Sequence, residues 1–403
     1  MRRQDLETAV EVQTMTAKSI AGSPIAPGAT IGMVGGGQLG RMFAIAAAQM
    51  GYRVGVFCGS PDEPAAQVAA FHVCAPLDDR AAIDAFAAQC DVITLEFENI
   101  PAATIAACGR HAPTYPHASV LATAQDRLEE KSTLRAAGLP VTPFASASDA
   151  ASLSRAAETL GWPLIVKTRR SGYDGKGQHR LAGPDDAAGV DWSGGGDWIA
   201  EAVVPFDCEV SVIVARSSCG ETATFPVLEN DHRHHVLETS CLPASIGGSL
   251  ADRARQIAVA AAEHLDVVGL LCVEMFVVGD EVLINEVAPR PHNSGHLTIE
   301  GCHTSQFEQH VRAICGLPLG RTDLVSPAAG MINLLGDLWS DGNDSPDWAS
   351  ALAVPGVRLH LYAKGAARKG RKMGHLTLLG ATPQEVLEQL RGARQRAGGS
   401  PPR

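Results

Sequence analysis

The 403-residue sequence has no apolar run of about 18 residues, and its first thirty residues contain no apolar core of the kind found in signal peptides. We therefore expect neither a membrane span nor a secretory leader. Its ten cysteines stand singly, without a CxxC pair. Because scattered cysteines in a large intracellular chain usually stay reduced, we expect free and mostly buried thiols instead of disulfides.

The chain also lacks an excess of positive charge, since its formal net charge is -11. Broad binding to nucleic acid or to an anionic membrane needs a basic surface, so we expect neither partner. The composition, 45% hydrophobic and 19% charged, is ordinary for a globular protein. The length allows two or three domains with full-sized cores.

Strands alternate with helices in the first part of the chain, after residues 1–29, which we expect to form a loose extension. Such alternation is typical of a parallel sheet, so we predict an α/β domain over residues 30–120. The predicted elements are strands over 30–34, 52–58 and 91–95, the last being the third strand, and helices over 43–50 and 81–90.

An α+β body is predicted over residues 121–325. Its first helix, TAQDRLEEKSTLRAAG, begins near Thr123 or Asp126 and stops at Gly138, because Pro140 lies just beyond. Further predicted elements are strands in PLIVKT, DWIAEAVV, EVSVIVAR and ATFPVL, a helix over 250–264, and a hairpin of Leu271 to Val278 and Glu281 to Val287. The pattern weakens after Ser326, where we predict a small β-rich domain over 326–395, a final helix near 383–391, and a tail over 396–403.

The turn GGGQLG, residues 35–40, fits the pattern GxGxxG between a strand and a helix. Amide N–H groups and the positive end of a helix can bind an anion there. A dinucleotide site also needs an acidic residue about 20 positions further on. The next strand instead ends in Phe57-Cys58-Gly59, so nicotinamide binding is disfavoured. A phosphate of another ligand and simple close packing remain as interpretations.

Two acids, Glu96 and Glu98, follow the strand over 91–95. Open α/β sheets bind ligands at the carboxyl ends of their parallel strands, which favours a contact with a ligand. Acids in such a position are as often solvated surface groups. Position alone leaves both interpretations open.

The stretch KTRRSGYDGKGQ, residues 167–178, combines four basic residues with three glycines. A glycine-rich segment between strands can bind phosphates through its N–H groups while lysines neutralise their charge. It is not a Walker loop, because GxxxxGK[ST] is absent. The alternative is a flexible, solvated basic hairpin.

A second basic stretch, KGAARKGRK at residues 364–372, has five basic residues in nine and no acid. Local positive charge on an acidic chain suits a small polyanionic ligand better than nucleic acid. A solvated basic turn is the alternative.

Glu274 and Glu286 lie on the two arms of the predicted hairpin. A two-residue turn at Gly279-Asp280 would set Glu274 opposite Asn285, whereas a three-residue loop that includes Glu281 would set it opposite Glu286. Opposed carboxylates repel each other unless a cation lies between them, and Mg²⁺ prefers oxygen ligands near phosphates. We predict the three-residue loop. In the alternative, one carboxylate points inward and the other outward.

The segment APRPHNSGH, residues 288–296, follows at once. Its Arg290, His292 and Asn293 are good donors to a carboxylate or a phosphate. Zinc at His292 and His296, or at the HRHH of residues 232–235, is disfavoured, because neither pattern has a third ligand at a recognised spacing.

Together these segments resemble the ATP-grasp superfamily and, within it, the N5-carboxyaminoimidazole ribonucleotide synthases, the ATP-dependent carboxylases of bacterial and fungal purine synthesis. The resemblance runs from about Ile31 to about Leu379. It implies a Rossmann-like pre-ATP-grasp domain, an ATP-grasp fold with a small lobe over about 121–200 and a large lobe over about 201–325, and a small β-rich C-terminal domain. The segments that carry it are GGGQLGRM, EFENIP, QDRLEEK, VKTRRSGYDGKGQ, PFDCEVSVI, INEVAPRPHNSGH, SQFEQHVRAI and GRKMGHL.

The resemblance implies a site for ATP and for Mg²⁺, with Mn²⁺ as a possible substitute. Glu274 and Glu286 would bind the metal, with Asn285 nearby. The implied ATP contacts are Arg127 and Lys167, the phosphate-covering loop of Gly172, Tyr173, Asp174, Gly175, Lys176, Gly177 and Gln178, the adenine linker of Glu201, Ala202, Val203 and Val204, the ribose-binding Glu209, and His232.

The resemblance also implies a ribonucleotide site between the first domain and the ATP-grasp body. Its implied contacts are Gln38, Glu96 or Glu98, Tyr173, Asp174, Lys176, Arg290, His292, Asn293, Lys364 and Arg371. Two positions depart from the family pattern. Lys176 stands where many members have Arg, and a lysine cannot form the bidentate fork of an arginine. Ala288 stands where many ATP-grasp enzymes have an Asn metal ligand, so Asn285 or water would fill that place.

The implied reaction joins bicarbonate to the γ-phosphate of ATP and then passes the carboxyl group from carboxyphosphate to the amine of 5-aminoimidazole ribonucleotide. Lys167 would offset the phosphate charge, Asp174 would orient or deprotonate the amine, and Arg290 and His292 would hold the carboxyl group. The resemblance further implies a cytoplasmic homodimer whose partners are small molecules, not nucleic acid or membrane.

Three other functions would share part of these motifs. A formate-using glycinamide ribonucleotide transformylase has the same ATP half, but GYDGKG and PHNSGH resemble the carboxylating family. A Rossmann oxidoreductase would rest on GGGQLG alone. A non-catalytic sugar-nucleotide-binding protein would not need Lys167, Glu274 and Glu286 together.

Overall fold

The computed structural model describes residues 23–172, 177–192, 197–339 and 345–398. Within these ranges, no helix combines the length and the apolar character that crossing a membrane requires. All ten cysteines fall inside the described ranges, are free, and are mostly buried, as expected.

The first part of the chain forms a parallel sheet of four described strands in the order β3-β2-β1-β4. The prediction of a parallel sheet is confirmed, but the strand β3 was missed, so the predicted third strand is the fourth. The elements are β1 (Thr30–Val34), α1 (Gln38–Gln49), β2 (Arg53–Cys58), β3 (Phe71–Cys74), α2 (Arg80–Ala87), β4 (Val92–Leu95) and α3 (Ala102–Cys108).

Two helices, α4 (Ala118–Ala124) and α5 (Arg127–Ala136), lead into the second sheet. Local signals fix α5: the Asp126 side chain accepts from the N–H groups of Leu128 and Glu129, and acids occupy the first turn. The helix ends before Gly138, whose φ of 76° continues no helix. The predicted helix is therefore confirmed, with Asp126 as its cap.

The second sheet is antiparallel and has four described strands in the order β5-β8-β6-β7. Helix α6 packs against it and buries Leu153 and Ala156. The elements are β5 (Phe144–Ala147), α6 (Ala150–Leu160), β6 (Leu164–Thr168), β7 (Gln178–Leu181) and β8 (Trp198–Ala202).

The third sheet has nine described strands and includes the C-terminal segment. Its path is β14-β13-β9-β11-β12-β15-β17-β16, with β10 paired to β9, so the C-terminal strands extend the sheet of the large lobe. The strands are β9 (Cys208–Arg216), β10 (Thr222–Thr224), β11 (Leu228–Arg233), β12 (Val236–Leu242), β13 (Gly269–Val278), β14 (Glu281–Ala288), β15 (Ala328–Leu335), β16 (Arg358–Leu361) and β17 (Lys372–Gly380). The helices are α7 (Gly248–His264), α8 (Thr298–Gly301), α9 (Gln306–Ile314), α10 (Trp348–Leu352) and α11 (Pro383–Arg396).

Helix α9 joins the first sheet to the third. Phe307 and Val311 of α9 share one hydrophobic core with Phe43 of α1. The hydroxyl of Thr94, on β4, also lies 2.8 Å from Nε2 of His310 in the buried interface. This packing holds the carboxyl ends of the first sheet beside the β13–β14 hairpin.

Candidate active site

The β13–β14 hairpin brings two carboxylates together by a route that the sequence prediction missed. Val278 pairs directly with Glu281, so the turn has two residues and the predicted three-residue loop is wrong. The register shifts between the pairs Met275–Ile284 and Glu274–Glu286, which leaves Asn285 as the extra residue of a β-bulge. The bulge restores the predicted opposition of Glu274 and Glu286.

The two opposed carboxylates have different electrostatic surroundings. Burial and the charge of Glu274 raise the pKa of Glu286. Burial alone would raise the pKa of Glu274 too, but His292, whose Nε2 lies 2.9 Å from Oε1, lowers it to about 2. Burial also works against a charge on His292, yet Cys272 and Glu274 raise its pKa to about 10. The hairpin therefore places two buried carboxylates side by side, one of them in contact with the imidazole of His292.

Lys167, on β6, projects toward the neighbouring strand β8. Its Nζ lies 2.8 Å from Oε2 of the buried Glu201, and Nζ of Lys131 lies 3.6 Å from the other carboxylate oxygen. The linker after Glu201 is held by its own backbone, because Ala202 donates to the carbonyl of Pro143 and Val203 donates to that of Pro163. These contacts fix the segment that the resemblance assigns to adenine.

The four residues Tyr173, Asp174, Gly175 and Lys176 lie outside the described residues, so their predicted contacts remain predictions. The flanks of this segment are fixed: Arg127 donates to the carbonyl oxygens of Thr168, at 3.0 Å, and Gly172. Gly177 has a φ of 73°, and Gln178 lies 3.2 Å from Nδ1 of His235 on the β11–β12 turn.

Two of the four basic residues in the stretch 167–178 bind acidic side chains of the protein next to the undescribed segment. Arg169 forms a bidentate pair with Asp126, at 2.9 and 2.8 Å, and also contacts Asp197 at 2.8 Å. Arg170 lies 3.3 Å from the same Asp126 carboxylate. Because Asp126 also caps α5, these arginines fasten the base of the segment to the helix that carries Arg127.

Glu209 and His232 face each other across β9 and β11, with Nδ1 of the imidazole 2.6 Å from Oε2 of the carboxylate. Burial would lower the pKa of His232, but this bond to Glu209 raises it. Both residues line a cavity of about 390 Å³, together with Phe206 and Asn230. The volume falls within the range of small-molecule sites, and Glu209, Asn230 and His232 supply polar groups to the lining.

The first-domain turn GGGQLG is occupied by a side chain of the protein itself. The Glu96 carboxylate accepts from the N–H groups of Gly37 and, at 2.9 Å, Gly40. A Cβ at Gly35 would lie 2.5 Å from Cγ of Glu96, and Gly35 itself has a φ of 105°, so only glycine fits this position. These amides would otherwise serve a phosphate, so the structure favours the close-packing interpretation of the turn.

Glu98, at the same sheet edge, binds Arg290 through both Nε and Nη2, the latter at 2.9 Å. Burial would raise the pKa of Glu98, but the guanidinium lowers it to about 2. Glu96 and Glu98 are therefore both bound within the protein and are not solvated surface groups. The predicted carboxylate-binding fork of Arg290 is already bound to a carboxylate of the protein.

The remaining predicted ribonucleotide contacts lie around this edge. Asn293 exchanges amide hydrogen bonds with Asn333, at 3.1 and 2.7 Å. Nζ of Lys364 lies 5.7 Å from the centre of the Tyr362 ring. Burial raises the pKa of Glu96, and the charge of Lys364 offsets only part of that rise. Arg371 donates to the carbonyl of Ala366 and so folds back on its own loop.

Gln38 begins α1 at the same edge. The loop that carries Lys364 docks on the first domain, because Gln67 donates to the carbonyl of Ala363 at 3.1 Å. This docking brings the second basic stretch to the turn GGGQLG.

No group of three or more His, Cys, Asp or Glu side chains that could hold a metal occurs among the described residues. Zinc at the HRHH turn gains no support there, since His232 is bound to Glu209. Sequence analysis also missed a functional candidate, Lys131, which lies on the buried face of α5. Its signal was the helical spacing of Arg127, Glu130, Lys131 and Leu134, which puts a lysine on the core-facing side.

The comparisons with known proteins agree with this arrangement. Profiles of three families match in order: the ribonucleotide synthetase preATP-grasp domain over residues 28–125, the ATP-grasp domain over 132–307, and the phosphoribosylaminoimidazole carboxylase C-terminal domain over 329–389. An N5-carboxyaminoimidazole ribonucleotide synthase of Bacillus subtilis is 43% identical over 370 residues, which cover 91% of this chain and 95% of that protein. The chain belongs to the N5-carboxyaminoimidazole ribonucleotide synthase family.

Other members of this synthase family match over similar lengths. The Pseudomonas aeruginosa synthase is 41% identical over 349 residues, which cover 86% of this chain and 94% of that protein. A crystal structure of an ADP complex of an N5-carboxyaminoimidazole ribonucleotide synthetase superposes with a TM-score of 0.86 at 41% identity, covering 93% of this chain and 98% of the other. The Aspergillus clavatus synthase in complex with ADP and 5-aminoimidazole ribonucleotide gives a TM-score of 0.83 at 30% identity, covering 92% and 98%.

Proposed function

We propose that the protein carboxylates the amine of 5-aminoimidazole ribonucleotide with ATP and bicarbonate, forming N5-carboxyaminoimidazole ribonucleotide, ADP and phosphate in purine synthesis. Bicarbonate attacks the γ-phosphate of ATP to give carboxyphosphate, and the carboxyl group then passes to the amine directly or as released CO₂. Family membership supports the substrate class, since the Aspergillus clavatus relative is described with both ADP and this ribonucleotide.

One observation carries the proposal: the opposed Glu274 and Glu286 lie between groups suited to ATP and groups suited to the ribonucleotide. Lys131, Lys167 and Arg127 are close enough for their charges to act on Glu286. On the other side, His292 contacts Glu274 and its charge acts on Glu98. The hairpin therefore lies where a transferred phosphate and an acceptor would meet.

The paired carboxylates fit Mg²⁺, with Mn²⁺ as a substitute. Their donor atoms are all hard oxygens. Burial and the repulsion from Glu274 raise the pKa of Glu286, and a bound cation would relieve both effects. Glu274 and Glu286 would hold the ion, with Asn285 nearby in place of the Asn that Ala288 replaces. The ion would offset charge on the ATP phosphates, as Lys167 would from β6.

The other residue roles are part of the same proposal. Arg127, Glu201 to Val204, Glu209 and His232 would bind ATP, and the contact between Glu209 and His232 supports a ribose subsite beside the cavity. Arg290 and His292 would hold the carboxyl group being transferred. For Tyr173, Asp174 and Lys176 the proposal rests on the family resemblance alone, as do the cytoplasmic location and the homodimeric assembly.

The test is ADP release from MgATP and bicarbonate, with and without 5-aminoimidazole ribonucleotide. We expect strong stimulation by the ribonucleotide, lost in Lys167→Ala and Glu274→Ala. ATP turnover that ignores this ribonucleotide but responds to glycinamide ribonucleotide and formate would contradict the proposal in favour of a transformylase. No turnover under any condition would point to a binding role.

A further inference from the structure

Lys131 is a buried cation whose charge acts on Glu286, but whose own contacts have no assigned role in the proposed reaction. It lies on α5 and is 1% exposed. Its Nζ donates to the hydroxyl of Thr142 and to the carbonyl of Asn285, both at 2.6 Å, and lies 3.6 Å from a carboxylate oxygen of Glu201. Burying an ammonium group is costly unless its donors are satisfied, so three oxygens around one Nζ indicate a specific structural task.

The carbonyl that Lys131 binds belongs to the bulge residue of the β13–β14 hairpin. A bulge residue is left outside the regular ladder, so its backbone needs partners from elsewhere. Here Lys131 supplies one for Asn285. The N–H of the preceding residue, Ile284, donates to the carbonyl of Pro140 at 2.8 Å, and its carbonyl accepts from the N–H of Thr142 at 2.9 Å. The bulge is thus held from α5 and from the segment after it.

The bulge decides where Glu286 points. With a two-residue turn and no bulge, Glu274 would face Asn285, and Glu286 would lie on the opposite face of the hairpin. The extra residue moves Glu286 onto the face of Glu274. A contact that fixes the carbonyl of Asn285 therefore fixes the separation of the two carboxylates.

The same ammonium group acts on the ATP-phosphate lysine through Glu201. The Glu201 carboxylate lies between the two cations, with Lys131 near one oxygen and Lys167 2.8 Å from the other. Burial would raise the pKa of Glu201, but these two lysines lower it, so the carboxylate stays charged and can hold Lys167 in place. One side chain therefore connects both groups that a metal-bound triphosphate would contact.

We propose that Lys131 is a positioning residue that locks the Asn285 bulge and the Glu201–Lys167 pair, so that the opposed carboxylates bind a divalent cation with ADP or ATP. The inference rests on the proposed function, since it assigns the cation to Glu274 and Glu286. It adds a residue outside the metal and nucleotide contacts on which both depend.

The experiment compares Lys131→Met with Arg135→Met. Arg135 lies one turn further along α5, is exposed, and covers the Phe144 ring, so its replacement removes the same charge from the same helix. Binding of Mn²⁺ to the ADP-loaded protein, titrated by electron paramagnetic resonance, reports the site without catalysis. We expect Lys131→Met to weaken Mn²⁺ binding about tenfold or more, the usual effect of losing a supporting contact, and Arg135→Met to leave it unchanged.

Kinetics give the second readout. Lys131→Met should lower the rate of ADP formation while the KM for 5-aminoimidazole ribonucleotide stays unchanged, because the ribonucleotide end is not contacted. A general loss of structure would change both constants. Equal Mn²⁺ binding in Lys131→Met and Arg135→Met would overturn the inference.

Thr142→Val keeps the experiment decisive if Lys131→Met does not fold. This substitution removes the hydroxyl that accepts from Nζ of Lys131, while the shape of the side chain stays nearly constant. Losing one hydrogen bond costs about 1 kcal/mol, and tenfold in affinity corresponds to about 1.4 kcal/mol, so Mn²⁺ binding should weaken several-fold. Native Mn²⁺ affinity in this variant would contradict the role of Lys131. Mn²⁺ binding is measured without the ribonucleotide, so absence of ribonucleotide-stimulated ADP release from the native protein would defeat the proposed function separately.

Discussion

Glu286 and Glu98, which lie at the two ends of the candidate site, have pKa values shifted in opposite directions. At the nucleotide end, burial and the charge of Glu274 raise the pKa of Glu286, so the protein alone leaves this carboxylate poorly stabilised. At the ribonucleotide end, Arg290 lowers the pKa of Glu98 to about 2 in spite of burial. The turn amides of Gly37 and Gly40 donate to Glu96, but burial still raises the pKa of that carboxyl.

This difference indicates how each end responds to its ligand. The nucleotide end carries an electrostatic cost that a bound cation relieves, which makes cation binding favourable. At the ribonucleotide end Glu98 is already paired with Arg290, so a substrate carboxyl or phosphate group must compete with Glu98 for the guanidinium. A substitution at Glu286 should therefore lower activity without lowering the free energy of unfolding, whereas one at Glu98 should lower the free energy of unfolding.

The largest expected effect is the loss of activity in Glu286→Gln. The neutral amide of glutamine lacks the negative charge and the second ligating oxygen of the carboxylate, so we expect ADP release to fall by about 100-fold or more. Folding should not suffer, because the substitution removes a charge that the native protein disfavours. ADP release and urea unfolding, measured on the same preparation, check both halves.

Glu281→Gln is the matched control, since Glu281 is exposed at the first position of the same strand. It should change neither quantity. A destabilised Glu286→Gln protein would show that the opposed carboxylates are not under repulsion, and would remove the contrast between the two ends.

The next effect is a loss of stability in Glu98→Gln. Arg290 would remain partly buried without its carboxylate, so we expect the free energy of unfolding to fall by about 2 kcal/mol. Because Arg290 loses its anchor, the KM for 5-aminoimidazole ribonucleotide should rise while that for ATP stays unchanged. Asp84→Asn, which removes exposed contacts with Arg110 and His111, should lower the free energy of unfolding much less. Equal costs in the two variants would mean that Glu98 is no better stabilised than a surface acid.

The parts of the fold that depend on local chemistry followed from the sequence. The helix α5 was predicted because Asp126, the acids after it and Gly138 are all within its own segment. The strand β3 was missed because it has only four residues, FHVC, and such a short run gives too few positions for an alternation of apolar and polar residues to stand out. The family resemblance supplied the order of the domains, which the element pattern alone did not.

The parts of the site that depend on distant contacts did not follow from the sequence. The bulge at Asn285 is supported by Lys131, which is 154 positions away. The turn GGGQLG is filled by Glu96, 59 positions beyond Gly37. Pattern rules describe neighbours along the chain. They predicted that Glu274 and Glu286 oppose each other, but with the wrong turn length. At the turn GGGQLG they allowed a bound phosphate, whereas the carboxylate of Glu96 occupies the amides there.

The smallest effect concerns the base of the segment that contains residues 173–176. Arg169 contacts Asp126 through two nitrogens and also contacts Asp197, whereas Arg170 makes one longer contact with Asp126 and is more exposed. Arg169→Met should therefore raise the KM for ATP about fivefold, equivalent to about 1 kcal/mol, while Arg170→Met has a smaller effect. Steady-state ADP release over a range of ATP concentrations measures both.

The pair of arginines also tests whether positive charge or attachment matters in this stretch. If these arginines acted as free cations for phosphate, removing the more exposed Arg170 would cost as much as removing Arg169, since both carry one charge. If their role is attachment, the cost follows the number of contacts to Asp126 and Asp197. A larger rise in the KM for ATP in Arg170→Met than in Arg169→Met would indicate that residues 167–178 bind phosphate directly. These residues would then share with Glu286 a charge that only the bound ligand neutralises.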